Sequence, residues 1–262
     1  MHRSVARPLG RRTFLLSLSG VTALASACRG ASLAEADGYV PGRLSSRPRA
    51  PDRTAAPQRG MQPLGLASGR DGLVYLPAAY RGNRPLPLVM LLHGSDTAAV
   101  DALPILRDFA EATPFILLVP ESRQRTWDIV LGRFGADVDF IDRALAQTFA
   151  RYAIDSGRMA LAGFSDGASE ALSLGITNGV MFPLIMAFSP GLVASTRGYG
   201  HPKVFDAYGD RDHIFPLDTS RTVVRQLRRA GLDVTERQFV GDHGVPPEIA
   251  AEAISWLTRH WE

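Results

Sequence analysis

The residues best suited to chemistry lie in a short glycine-flanked stretch, residues 163–167, which reads Gly-Phe-Ser-Asp-Gly. An apolar run typical of a β-strand precedes it at 158–162, and a run compatible with a helix follows at 168–175. A turn of this kind between a strand and a helix is strained and lifts the serine hydroxyl clear of the sheet, near the positive end of the helix. Ser165 is therefore predicted to be a nucleophile. The alternative interpretation is a glycine-rich turn with a solvent-facing serine.

A serine hydroxyl attacks efficiently only when a base takes its proton and a carboxylate orients that base. In proteins with this strand–serine–helix turn, the acid and then the histidine follow the serine along the chain. His243 lies in a glycine-flanked loop directly after the last predicted strand, so we predict that it is the base. The other histidines after the serine fit less well: His201 precedes a strand, His213 adjoins the candidate acids and His260 ends the last helix.

Two aspartates compete for the acid position after the apolar run at 204–208. Asp210 directly follows Gly209 and is typical of a residue that caps a turn, where it can also pair with Arg211. Asp212 lies two residues further on. Asp242, beside the predicted base, is a third and weaker alternative.

The order of apolar segments predicts an α/β fold with a mostly parallel, doubly wound sheet. Continuous apolar runs of strand length occur at 86–92, 115–119, 158–162, 183–188, 204–208 and 234–239, and 71–76 is a candidate antiparallel edge. Apolar residues at helical spacing lie between them, around 138–152, 223–230 and 249–257. Right-handed crossovers place the carboxyl ends of such strands at one edge, where α/β sheets bind ligands. The predicted nucleophile and base both belong to that edge.

With these motifs in this order, residues 71–260 resemble an α/β-hydrolase of the small carboxylesterase, phospholipase and acyl-protein-thioesterase kind. The chain is also similar to esterases that resemble polyhydroxybutyrate depolymerases. The spacing of glycine, aspartate and Pro216 in the acid loop resembles that of the family and favours Asp212 as the acid. The resemblance implies a Ser165–His243–Asp212 triad that requires no metal or organic cofactor.

An oxyanion formed during acyl transfer needs fixed hydrogen-bond donors. The backbone N–H of Asp166, directly after the nucleophile, is the first predicted donor. The apolar run at 88–92 ends in His93-Gly94-Ser95, which matches the oxyanion loop of the family and makes the N–H of Ser95 the second. His93 is expected to order this loop by hydrogen bonding and to take no part in proton transfer.

The connection between the strands near 188 and 204 is too short for the helical lid that many lipases insert there. We therefore expect an open site without a large lid domain, which suits short-chain or bulky esters better than long-chain lipids. Trp127, in a long loop at 121–135, is a candidate for substrate contact. A tryptophan that packs the loop or core is an equally good interpretation.

Composition excludes several other classes of function. Cys28 is the only cysteine, which rules out disulfide frameworks and multi-cysteine metal sites. The formal net charge of +3 comes from the first 60 residues; residues 61–262 carry 19 basic and 23 acidic residues, so binding to nucleic acid is not expected. Asp137, Asp139 and Asp142 fit a helix N-terminus and a solvated surface better than a cation site. No metal site is predicted.

The N-terminal segment is predicted to direct export. Residues 1–27 combine a basic start, including Arg11-Arg12 of a twin-arginine type, with an apolar run of small residues. Cleavage is expected either after Ala27 or at a lipobox that ends in Cys28, which would then carry a lipid. Residues 28–60, rich in arginine, alanine, proline and serine, are predicted to be a flexible tether, and residues 61–262 the catalytic domain. The expected location is the periplasm, a bacterial membrane surface or the exterior.

The leading hypothesis is an exported serine hydrolase that cleaves small or polymeric carboxylic esters through an acyl-enzyme. The same triad could instead transfer the acyl group to another acceptor, or cleave thioesters or peptides. A lipoprotein that uses the fold only for binding is a non-enzymatic alternative, although binding alone needs neither the strained turn nor the base.

Overall fold

The computed structural model describes residues 40–52, 58–194 and 198–262. The predicted leader and Cys28 lie outside these residues. The described residues form a mixed eight-stranded sheet with the strand order β1-β2-β4-β3-β5-β6-β7-β8. Its strands are β1 (Gly60–Pro63), β2 (Gly72–Leu76), β3 (Leu86–Leu92), β4 (Ile116–Pro120), β5 (Ile154–Phe164), β6 (Leu184–Phe188), β7 (Lys203–Gly209) and β8 (Val234–Phe239).

Strands β3 to β8 run parallel to one another, whereas β1 and β2 form an antiparallel edge beside β4. The central strands are uninterrupted apolar runs because helices cover both faces of the sheet. The predicted α/β class, with a mostly parallel doubly wound sheet, is confirmed. The sequence did not reveal β1, which has only four residues and includes a glycine and a proline.

The described residues form six α-helices: α1 (Ala99–Ala102), α2 (Arg107–Ala112), α3 (Ala136–Arg151), α4 (Asp166–Thr177), α5 (Leu217–Arg229) and α6 (Pro247–Arg259). Helices α3, α4 and α5 bury apolar side chains such as Ile141, Leu172 and Leu227 on one face of the sheet. Helices α1, α2 and α6 cover the other face, with Ala253 and Leu257 among their buried residues. The two cores leave the carboxyl edge of the sheet accessible.

The strand order creates a crevice at the carboxyl end of β3. The chain proceeds from β3 to β4 on one side and then crosses to β5 on the other side. Loops that leave neighbouring strands in opposite directions separate at such a point, and α/β proteins bind ligands there. The loop after β3 and the turn after β5 therefore meet at the centre of this edge.

The prediction of a flexible tether for residues 28–60 does not hold for residues 40–52. Leu44 is only 1% exposed, and its N–H donates to Oδ1 of Asn178 over 2.9 Å. The Asn178 Nδ2 group donates in turn to the carbonyl of Gly42 over 2.8 Å, and the N–H of Asp52 donates to the carbonyl of Ala150 over 2.8 Å. The composition of this segment hides these contacts because the partners lie about a hundred residues away in the sequence. Here the folded domain begins about twenty residues before the predicted boundary.

Candidate active site

Ser165 occupies a strained turn between the end of β5 and the start of α4. Its φ of 57° and ψ of −122° lie in a region that non-glycine residues rarely adopt. The turn is so tight that a Cβ at Gly163 would lie 2.1 Å from the carbonyl oxygen of Gly167. A Cβ at Gly167 would lie 2.3 Å from the carbonyl oxygen of His93. Only glycine fits at both positions, which explains the pattern seen in the sequence.

The hydroxyl of Ser165 begins a chain of hydrogen bonds across the carboxyl edge of the sheet. Nε2 of His243 lies 2.9 Å from Oγ of Ser165, and Nδ1 of the same ring lies 2.7 Å from Oδ2 of Asp212. The three residues follow β5, β7 and β8, so the sheet sets their relative positions. With the proton of a neutral imidazole on Nδ1, Nε2 is free to accept the serine proton.

The structure separates the three candidate acids. The buried carboxylate of Asp212 accepts the N–H groups of Ile214 and Phe215, each over 2.8 Å, in addition to the His243 ring. The Asp210 carboxylate instead accepts the N–H of Gly241 over 3.0 Å, as expected for a residue that caps a turn. Asp212 is therefore the carboxylate that contacts the imidazole.

The third candidate, Asp242, uses its carboxylate to hold loop backbone and a neighbouring histidine. It accepts the N–H of His243 over 2.7 Å and contacts Nδ1 of His213. His201 and His260 are both exposed, and Nδ1 of His260 lies 2.8 Å from the carbonyl of Trp256. Among the histidines of the described chain, His243 is the one hydrogen-bonded to Ser165.

The ring of His243 is held by two phenylalanines that sequence reasoning missed. The Phe164 and Phe215 rings lie 5.0 and 5.4 Å from the imidazole, centroid to centroid. Phe164 directly precedes Ser165, and Phe215 follows the acid by three residues. Their positions beside motif residues were the only signal available, and it does not say which way an aromatic ring points.

The loop after β3 lies against Ser165. A Cβ built on Gly94 would be 3.5 Å from the Cβ of Ser165. Ser95, the next residue, therefore belongs to a loop that lies beside the Ser165 side chain. Asp166 is the first residue of α4, where a backbone N–H has no partner within the helix. Within the described residues, neither the Ser95 nor the Asp166 N–H donates to another protein group.

His93 ties this loop to its neighbours and does not contact Ser165. Its buried ring places Nδ1 2.7 Å from the carbonyl of Gly94, and Nε2 accepts the N–H of Ser122 over 3.0 Å. This pattern requires a neutral ring with its proton on Nδ1. Burial lowers the pKa of His93, which favours that neutral form.

Trp127 does not face the crevice, so the predicted substrate contact is wrong and the packing interpretation is correct. Its side chain is 0% exposed and lies 4.9 Å from the His93 ring, centroid to centroid. The indole N–H donates to the carbonyl of His93 over 2.8 Å. A buried indole needs an acceptor, and this carbonyl, in the loop after β3, supplies one.

A small cavity opens beside Gly94 and the nucleophile turn. Its volume is about 260 Å³, and Ile105, Phe164 and Val245 form apolar parts of its wall. Thr97 and Asp101 also line it, but their polar groups are engaged nearby: the Thr97 hydroxyl donates to the Gly94 carbonyl over 2.8 Å, and Asp101 accepts the N–H of Ala98. No sequence motif marks Ile105 or Val245, because they come together only in the fold.

Two buried carboxyl groups belong to helices α4 and α3. Glu170, five residues after Ser165, is fully buried without a hydrogen-bond partner among the described residues; burial, followed by the charge of Asp137, raises its pKa to about 8. Burial also raises the pKa of Asp137, which accepts the N–H of Asp128 over 2.6 Å. The predicted solvated surface is thus wrong for Asp137. Within the described ranges, no cluster of three or more potential ligands could hold a metal ion.

Comparisons with known proteins point to one kind of chemistry. A family model described as "Putative esterase" matches residues 66–215, more than half of the chain. A search of curated proteins found no match.

In the part of the chain that the structure describes, no helix has the length and apolar character needed to cross a membrane.

Several solved structures have a similar fold. The chain is 23% identical to esterase PE8, with a TM-score of 0.60 over 72% of this chain and 97% of that one. It is 18% identical to a ferulic acid esterase from Anaeromyces mucronatus in complex with ferulic acid, with a TM-score of 0.59 over 82% and 97% of the two chains. It is also 18% identical to the Bacillus cereus carboxylesterase, with a TM-score of 0.56 over 73% and 95%. At these sequence identities, the similarity shows a shared fold.

The buried acid gives a testable pH dependence of stability. Because the folded protein keeps the Glu170 pKa near 8, above its usual value of 4.5, the unfolded chain releases this proton first as the pH rises. The Glu170→Gln variant should therefore gain stability over the wild type between about pH 4.5 and 8, by about 1.4 kcal/mol per pKa unit at most, and none below pH 4. Urea unfolding at pH 4, 6 and 8 measures this difference. The exposed Glu248→Gln serves as control, and a constant difference across pH would contradict the prediction.

Proposed function

The chain belongs to the esterase family and is a serine carboxylic-ester hydrolase, and on that premise we propose that Ser165, His243 and Asp212 carry out the reaction. The observation that carries the proposal is the continuous hydrogen-bond chain from the Ser165 hydroxyl through the His243 imidazole to the Asp212 carboxylate. A hydroxyl, an imidazole and a buried carboxylate in this order form the arrangement that activates serine in acyl transfer.

In the proposed mechanism, Nε2 of His243 takes the hydroxyl proton while Oγ of Ser165 attacks the ester carbonyl carbon. The carboxylate of Asp212 holds the ring in the required tautomer and stabilises the imidazolium that forms. The carbonyl oxygen becomes an oxyanion, which the N–H groups of Ser95 and Asp166 stabilise.

Collapse of this intermediate breaks the bond to the alcohol oxygen and leaves the acyl group on Ser165. The imidazolium of His243 gives its proton to the departing alcohol. Water then attacks the acyl-enzyme with His243 again as base, which releases the carboxylic acid and restores the serine. Every proton transfer and developing charge is handled by groups of this chain.

The surroundings of Ser165 support a preference for short acyl chains. The cavity beside the nucleophile has a volume of about 260 Å³, slightly below the usual range of small-molecule pockets. Its apolar wall at Ile105 and Val245 suits a few methylene groups. The short connection from β6 to β7 leaves no space in the sequence for a lid of several helices, so bulky alcohol groups can extend into solvent.

We also propose that the protein is exported. The support is the sequence pattern of residues 1–27, with Arg11-Arg12 ahead of an apolar run of small residues. We favour cleavage at Cys28 and its lipidation, because the only cysteine occupies the position that a lipobox requires. Residues 29–39 would then link the lipid to the folded domain.

The ester-hydrolase mechanism is tested on a series of p-nitrophenyl esters with acyl chains from two to sixteen carbons. The mature chain, residues 28–262, should hydrolyse them, with the highest rate on esters with short acyl chains. Ser165→Ala should lower kcat/KM by at least about 1000-fold, because no other group replaces the nucleophile. Equal rates for the wild type and the variant would contradict the mechanism, and a maximum at long chains would contradict the chain-length preference.

The choice of acid is tested by a pair of matched variants. Asp212→Asn should lower kcat by about 10³- to 10⁴-fold, because an amide favours the wrong imidazole tautomer and cannot stabilise the imidazolium. Asp210→Asn should stay within about tenfold of the wild type, because the side-chain oxygen can still accept the Gly241 N–H. Steady-state kinetics of both variants on one short ester decides; a larger loss in Asp210→Asn would reverse the assignment.

The processing of the N-terminus is tested by mass spectrometry of protein recovered from the native host. Lipidation predicts an N-terminal peptide that begins with diacylglyceryl-Cys28. Replacement by Cys28→Ala should release the protein from the membrane fraction. A free, unmodified Cys28 at the N-terminus would show signal-peptidase cleavage without lipidation.

A further inference from the structure

A second cavity lies at the opposite edge of the sheet from Ser165. We call it the basal cavity; it is bounded by segment 40–52, the amino-terminal half of β5, the end of α4 and the residues before β6 and β7. Its volume of about 430 Å³ falls within the range of small-molecule sites. None of the ester-cleaving groups lines it, so ester hydrolysis does not account for it.

The interior of the basal cavity is apolar and adaptable. Met159 and Met181 line it and are almost completely buried. Methionine side chains are flexible and adjust to ligands of different shape. At the mouth, Val180 is 77% exposed and Tyr199 is 42% exposed. These residues provide an apolar surface that reaches from solvent into the cavity.

Two arginines add positive charge to the same cavity. The Arg43 guanidinium lies 4.1 Å from the centre of the Tyr199 ring, which fixes its position. Nη1 of Arg47 donates to the carbonyls of Leu44 and Ser46 over 2.8 and 2.7 Å, which leaves its Nη2 and Nε directed to no described partner. Within the described residues, neither arginine has a carboxylate within 4.0 Å.

Two acidic residues close to this segment or to the cavity wall are engaged by other groups. Asp142 accepts the N–H groups of Ser45 and Ser46, over 3.0 and 2.8 Å. Asp155, beside the cavity residue Ser156, pairs with Arg158 over 2.7 Å. Both carboxylates therefore have partners of their own.

Hydrogen bonds from Asn178 also engage a carbonyl near the end of α4. Helix ends carry partial negative charge on their last carbonyls, which repels anions when those carbonyls are free. Here the Nδ2 group and the backbone N–H of Asn178 both donate to the carbonyl of Leu174. Among the residues that line the cavity, Arg43 and Arg47 are the charged ones.

We propose that the basal cavity binds an organic anion with an apolar body and a single carboxylate or phosphate head. The apolar body would lie against Met159 and Met181. The head would lie between Arg43 and Arg47, because guanidinium groups form paired hydrogen bonds with carboxylates and phosphates.

Isothermal titration of the mature chain tests this proposal with decanoate and decyl phosphate as probes, and with decanol and inorganic phosphate as controls. At least one of the two amphiphilic anions should bind at least tenfold more tightly than both controls. Comparison of decanoate with decyl phosphate then identifies the preferred head. Equal affinity for decanol would overturn the role of charge, and equal affinity for inorganic phosphate would overturn the role of the apolar body.

Variants locate the bound probe. The Arg43→Gln/Arg47→Gln double variant should weaken binding of the tighter probe at least tenfold, whereas the exposed pair Arg81→Gln/Arg84→Gln should leave it unchanged. Val180→Glu, which places a negative charge at the mouth, should also weaken it. All three should hydrolyse a short p-nitrophenyl ester at the wild-type rate, which shows that they are folded. Unchanged affinity in the first and third variants would place the probe elsewhere and overturn the proposal.

Discussion

The close backbone contact inside the nucleophile turn is the constraint on which the rest of the active site depends. Gly163 and Gly167 approach so closely that any side chain at either position would enter occupied space. This contact forces Ser165 into its left-handed conformation and directs its hydroxyl away from the sheet. The same approach presses Gly167 against the carbonyl of His93, so one contact positions both Ser165 and the loop after β3. Ser165 keeps this strained backbone conformation because the strands packed on either side hold the turn in place.

The groups around Ser165 are held by contacts on their interior side. The indole N–H of Trp127 donates to the carbonyl of His93, and the backbone N–H of Ser122 donates to the His93 ring. Phe164 and Phe215 hold the imidazole of His243, while two backbone N–H groups orient the carboxylate of Asp212. Such preorganisation reduces the reorganisation needed when charge develops during the reaction. The contacts that hold Ser165, His243 and Asp212 in place thus come from the interior of the protein.

The parts of this structure that could be predicted from sequence are those encoded by neighbouring residues. The glycine pattern around Ser165, the loop of His243 and the central apolar strands are local signals, and the fold class follows from their order. The contact of Leu44 with Asn178 was missed because it joins residues 134 positions apart without an apolar pattern. Trp127 could not be assigned because burial depends on which carbonyl lies within reach after folding. The lining of both cavities was invisible for the same reason.

Helix α4 sets the distance between the two cavities. It begins directly after Ser165 and ends at Thr177, so at about 1.5 Å per residue it separates the nucleophile from the basal cavity by roughly 18 Å. A ligand at one end cannot touch a substrate at the other, and so cannot compete with it directly. Any influence between them must therefore be a coupling free energy that acts at a distance, and such coupling is reciprocal. An anion in the basal cavity would therefore leave Ser165 open to its ester, and each ligand would change the affinity of the other by the same factor.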